Sequence, residues 1–153
     1  MKQLAFIFRD RRDQLYSHWL GLLKDRVGDE YLEVLESPIG ARLVKLVVEE
    51  LVVVAQAEAY ELPQALRRVE LSASEEAARR ARLGFELNDV LAGLQLIRSA
   101  MWRVLGDALA VGDLPAAGET MDEMCEVDEF LDRLVRAEVR GYLKAADEQA
   151  GGE

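Results

Sequence analysis

Three observations predict an all-α fold, a compact helical bundle of about five main helices with a long C-terminal helix. Half of the 153 residues are hydrophobic, enough for one substantial core. The 31% charged fraction comes with only 3 Pro and 11 Gly, a composition of long regular helices. Apolar residues also recur at three- and four-residue spacing through most of the chain. A globin-like packing of the same helices is the alternative arrangement. Residues 1–148 read as a single domain and 149–153 as a flexible tail.

Taken in order, Leu15, Trp19, Leu22 and Leu23 place one side of a first helix over residues 3–27, with Gly28 as its stop. A short helix from Asp29 to Leu35 leads to Ser37-Pro38, an N-cap followed by proline at the first helical position. The second long helix then runs to about Ala59. Its polar positions Arg42, Lys45, Glu49 and Gln56 form a narrow stripe, so neighbours are expected to cover most of its circumference. Pro63 opens a short piece through Arg68, and the capping box of Ser72 and Glu75 predicts the next helix start.

That helix carries Ala77, Ala78 and Ala81, small enough to admit a close neighbour, and Gly84 is expected to lie within a tolerant helical run. From Leu87, the positions Leu91, Leu94, Ile97, Met101 and Leu105 continue to Val111, with Gly112 as the stop. The capping box of Thr120 and Glu123 predicts a final helix to Ala146, with Met124, Val127, Leu131, Leu134 and Val135 along it. Short connections predict antiparallel neighbours.

Acidic residues outnumber basic ones by 29 to 19, and the net charge of −10 repels phosphate backbones and anionic lipid. Nucleic acid and membrane are therefore not expected partners. Arg9, Arg11 and Arg12 alternate with Asp10 and Asp13 and neutralise one another. A single cysteine, Cys125, forms no internal disulfide, and cytoplasmic residence is the expectation. The apolar stretches Leu4–Phe8 and Leu43–Ala55 are too short, and the second too interrupted by charge, for a signal core or a span.

Candidate chemistry is sparse. His18 is the only histidine, which excludes zinc or di-iron sites needing two. A single axial haem ligand or a phosphorylated histidine is the rival to an ordinary partly buried role. Met121, Met124 and Cys125 read as adaptable core filler rather than soft metal ligands. Trp19 and Trp102 read as core anchors. The carboxylates fall in Glu-Glu and Asp-Glu pairs on polar faces, without the buried placement that raises a pKa. No nucleophile elbow or phosphate-binding glycine motif occurs. The chain thus reads as a non-enzyme without a cofactor, and a small helical enzyme would require a buried acid pair.

The stretch Ala77 to Leu91, with Arg82-Leu83-Gly84-Phe85 ahead of Leu91, Leu94, Leu96 and Arg98, resembles the N-terminal domains of bacterial stressosome co-antagonists of the RsbRD type. Leu15, Trp19 and Leu22 and the Ser-Pro entry to the second helix extend the likeness over residues 10–145. The resemblance implies a helical sensory or input domain for stress signalling, globin-like without haem, dimeric, and joined to an output domain. It carries no catalytic residue across. The sequence departs from that pattern by stopping at Glu153, so it is expected to act on a separate signalling partner or to be a detached input domain.

On this basis a homodimer or docking surface is expected at Leu105, Leu131, Leu134 and Val135. A pocket for a small apolar ligand is expected at Trp19, Phe85 and Trp102. The rival is a haem, flavin or small-molecule sensor using His18 or the Met-Cys cluster.

Overall fold

A computed structural model describes residues 1–152, and among them seven α-helices and no strand occur. They are α1 (Lys2–Asp10), α2 (Arg12–Leu23), α3 (Asp29–Glu36), α4 (Pro38–Gln56), α5 (Leu62–Arg82), α6 (Leu87–Ala110) and α7 (Ala117–Gly151). The expected helical bundle and its long last helix are present. Five helices have twelve or more residues.

The first predicted helix is two. Arg11 leaves the helical region at φ −109° and ψ 25°, and its guanidinium reaches Asp113 at 2.8 Å. The bend has a packing reason: α1 lies on α4 and α7, whereas α2 lies along α6, and one straight helix cannot follow both. Gly28 does not end that helix but stands as the extended N-cap of α3.

Ser37 caps α4 as expected, accepting from the Ile39 N–H at 3.2 Å with Pro38 next to it. Gly40 is required here, since a Cβ would stand 1.7 Å from the Leu35 carbonyl oxygen. Cover of α4 is less complete than its composition suggests. Val44, Val48 and Leu51 are buried, but Ile39, Leu46 and Val53 at seven-residue spacing are exposed.

Two capping boxes are not used. Helix α5 is continuous from Leu62, so Ser72 lies inside it, because Pro63 starts the helix and no residue stops it before Gly84. Gly84 does break the run: at φ +87° it ends α5, with its N–H on Ala81 O and the Phe85 N–H on Arg80 O, a Schellman pair. Gly112, at φ +76°, ends α6 the same way, as predicted. Helix α7 starts at Ala117, and Thr120 donates instead to the Pro115 carbonyl at 3.2 Å.

Helix α7 passes the predicted end at Ala146 and reaches Gly151, a length of roughly 50 Å. Gln149 there donates to the Arg82 carbonyl at 3.3 Å. The expected flexible tail is thus helical over 149–151, and its final residue lies outside those described.

The pairings Glu70 with Arg133, Ser74 with Gly141 and Arg82 with Gln149 show that α5 and α7 run parallel, the most extensive pairing in the fold. Parallel packing is possible because α6 returns the chain between them. The alanines of α5 do admit the close neighbour expected of them: Ala78 and Ala81 pack with Ala145 of α7. Elsewhere antiparallel order holds, as His18–Asp107 and Trp19–Gly93 show for α2 and α6.

Candidate functional site

Helices α4, α5, α6 and α7 enclose a cavity of about 40 Å³ whose walls are mainly aliphatic: Leu43, Leu46, Val47, Ala73, Leu94 and Leu134. That volume is enough for a water-sized group. Three carboxylic acids, one from each of three helices, reach the same space: Glu50 of α4, Glu76 of α5 and Glu138 of α7.

Each is on an inner face for a local reason. Glu138 follows Leu131 and Leu134 by seven and four residues, so it continues the core stripe of α7 and is 6% exposed. Glu50 follows Val47 by three. Glu76 is held by two arginines of its own helix, Arg79 and Arg80, each at 3.0 Å. The Arg80 side chain is itself buried while Glu76 is partly exposed, so the Glu76–Arg80 pair spans one turn at the edge of the core.

Electrostatics separate the three acids. Burial pushes Glu138 up to about 8, against a lowering pull from Arg80 and a small further push from Glu76. Burial likewise pushes Glu50 up to about 7, with the Ser72 hydroxyl offsetting part of the rise. The Oε2 atom of Glu138 has no hydrogen-bond partner although it is buried. Tyr31 of α3 completes the surroundings, its phenol raised to about 12 chiefly by burial and drawn back by Arg80.

The carboxylates therefore do not all sit on polar faces. A Glu-Glu pair in the sequence, Glu49-Glu50, is split by helix geometry, with Glu49 exposed and Glu50 turned inward. Among the described residues, no group of three His, Cys, Asp or Glu stands close enough to hold a metal ion.

A groove of about 210 Å³ adjoins this cavity and shares Leu43, Leu46 and Glu76 with it. Its other walls include Ile39 and Arg42 of α4, Leu83, and Phe85 beyond the α5 stop.

Of the residues expected to form a pocket, Phe85 alone borders this groove, packed on Tyr31 at 5.0 Å between ring centroids. Trp19 has no exposed surface and donates its indole N–H to the Gly93 carbonyl at 2.6 Å. Trp102 is no core anchor: it is 41% exposed, nine residues along α6 from Gly93.

The expected interaction surface is displaced too. Leu105, Leu131 and Leu134 are buried within the chain and Val135 is packed against the same core, because the chain's own helices cover these faces of α6 and α7. The exposed apolar residues of this region are Trp102, Leu109, Val111 and Met121. Of the sulfur cluster only Met124 is core, while Met121 and Cys125 are exposed. His18 is partly exposed and its Nε2 lies 2.8 Å from Asp107 Oδ2. No helix among the described residues is long and apolar enough to cross a membrane.

Compared with known proteins, residues 13–153 match the family model described as the RsbT co-antagonist protein rsbRD N-terminal domain. No curated protein and no solved structure matches the chain.

Proposed function

The chain belongs to the RsbRD N-terminal domain family, and from that membership we propose a non-catalytic input and protein-interaction module that passes a signal by helix packing to a stressosome partner. The family is one of stress-signalling input domains, and its description names RsbT as the protein whose antagonism it shares. The observation that carries the reading is the continuity of α7. One helix bears Leu134 and Glu138 at the buried site and runs on to Gly151, some 20 Å further along its axis. A shift of packing at Glu138 therefore moves the far end of the helix.

A buried acid pair, Glu50 and Glu138, is present, yet the inner cavity takes only a water-sized group, holds no histidine or cysteine, and its one hydroxyl, Ser72, is engaged with Glu50. That supports a sensing role over turnover. Cys125 as the single cysteine agrees with cytoplasmic residence. Two copies are proposed to associate through Trp102, Leu109 and Met121, which take the place of the buried leucines expected for that role.

The test is capture of RsbT by the purified chain, with native mass spectrometry of the chain alone. A dimer mass that falls to monomer in Trp102→Glu, together with RsbT capture, supports the reading. A monomer at all concentrations that captures no RsbT would overturn it.

A further inference from the structure

We propose that the cavity between α4, α5 and α7 and its adjoining groove bind a small amphipathic amine, the ammonium against Glu138 and Glu50 and the apolar body along Ile39, Leu43, Leu46 and Phe85. The proposal deepens the input-module reading, on which it rests, by naming the class of signal.

Four observations lead to it. Glu138 is 6% exposed, lines the cavity, and leaves Oε2 without a partner, an acceptor that nothing in the chain satisfies. Charge balances only in the bound state: once Glu50 and Glu138 ionise, they and Glu76 exceed Arg79 and Arg80, both of which bind Glu76, by one charge, and the ammonium supplies it. Arg42 stands at the outer groove, exposed to solvent, and does not border the inner cavity.

Space matches the same chemistry. About 40 Å³ admits a head the size of water, and about 210 Å³ of adjoining groove, whose apolar wall of aliphatic side chains and one phenyl ring is edged by Arg42, Arg79 and Arg80, takes a short hydrocarbon body. At the inner end the Ser72 hydroxyl is already engaged with Glu50, and the carboxyl groups of Glu50 and Glu138 favour an N–H donor over a carboxylate or phosphate head. The net charge of −10 raises the local concentration of any cation.

Binding is coupled to protons. The groups facing the ammonium are Glu50 of α4, Glu76, Arg79 and Arg80 of α5, and Glu138 of α7, with Arg42 of α4 along the groove and Tyr31 of α3 and Asp89 of α6 beside them. Glu138 holds a proton near neutral pH because burial raises it, and the arriving ammonium favours its ionisation. Binding near pH 7 therefore releases protons to buffer.

Titration calorimetry of the whole chain with linear primary amines from butylamine to octylamine, against the alcohols and carboxylates of the same length, tests this. Runs in two buffers of different ionisation enthalpy measure the protons released. The expected result is binding of the amines, at least roughly tenfold tighter than the alcohols, with proton release, and loss of that preference in Glu138→Gln. Ile39→Trp, at a half-exposed groove position that does not border the inner cavity, keeps the acid site intact and blocks the body of the ligand. Equal affinity for amine and alcohol, or amine binding unchanged in both variants, overturns the proposal. RsbT capture measured on the same preparations separates the two readings: amines that fail to bind while RsbT is captured sink the ligand alone. Amine binding with no capture sinks the module reading and leaves the ligand site standing.

Discussion

Gly141 of α7 lies so close to Ser74 of α5 that a Cβ on the glycine would stand 2.1 Å from the Ser74 carbonyl oxygen. Both sides of the contact are helix backbone, so neither yields by turning a rotamer. Gly141→Ala would gain about 1 kcal/mol of helix propensity. It is nevertheless expected to destabilise by about 2–3 kcal/mol, as an overpacked core does. Urea unfolding measures this, and a variant as stable as the parent would refute the close packing of α5 on α7.

Glu138 sets a pH dependence with a definite sign. Its folded pKa is about 8 against an ordinary 4.5, so the folded chain binds the extra proton between those values. Stability conferred by that proton is complete below about pH 4.5 and lost as pH rises through about 8. Glu50, raised to about 7, acts in the same direction. Glu138→Gln should therefore flatten the fall in melting temperature between pH 5 and pH 8 and leave the pH 8 protein more stable by about 2 kcal/mol. A parent protein that gains stability over this range would contradict the assignment.

Arg80 is the counter-charge of the same site. Arg80→Met removes the buried one of the two arginine partners of Glu76, leaving Arg79, and takes away the cation that acts on Glu138. The expected loss is about 3–5 kcal/mol at pH 8, smaller at pH 5, where Glu138 is protonated. Adding Glu138→Gln should recover part of it, a non-additivity that a double-mutant cycle detects. Strict additivity would show that the two residues do not interact.

Glu123 joins the two ends of the fold. Its carboxylate accepts from the Gln3 and Leu4 N–H groups at 2.8 and 3.2 Å, capping α1 from α7, and meets the N-terminal ammonium at 2.8 Å. Burial works to raise its pKa, but these hydrogen bonds and the nearby ammonium prevail and hold it below the usual value. The stability it confers is present above about pH 4.5 and lost as acid reaches the lowered pKa. Glu123→Ala should cost about 1–2 kcal/mol at pH 7, with the amides of Gln3 and Leu4 losing hydrogen-exchange protection first. Unchanged protection of α1 would refute the cap.

The α-helical class, the Ser37-Pro38 start of α4 and the Gly112 stop of α6 were legible from residue order. Each depends on neighbours within a few positions: the period of apolar side chains, a hydroxyl facing a free N–H, a residue tolerant of positive φ. The family was legible in Arg82-Leu83-Gly84-Phe85 and the leucine-rich helix that follows. The unused boxes at Ser72 and Thr120 show the limit of such local rules, since a cap forms only where the helix in fact begins.

Only the tertiary structure decided which apolar and acidic residues face inward together. Leu105, Leu131 and Leu134 have the same periodic spacing whether they meet a second copy or the chain's own helices, and here the chain's own core consumes them. Ile39, Leu46 and Val53 are as apolar as the buried valines of α4 and are left open because α5 covers one side. Glu50, Glu76 and Glu138 are far apart in sequence, and no periodicity relates them. They meet because the parallel pairing of α5 with α7, permitted by Gly141, turns Glu76 and Glu138 toward α4, where desolvation rather than sequence position sets the charge of Glu50 and Glu138.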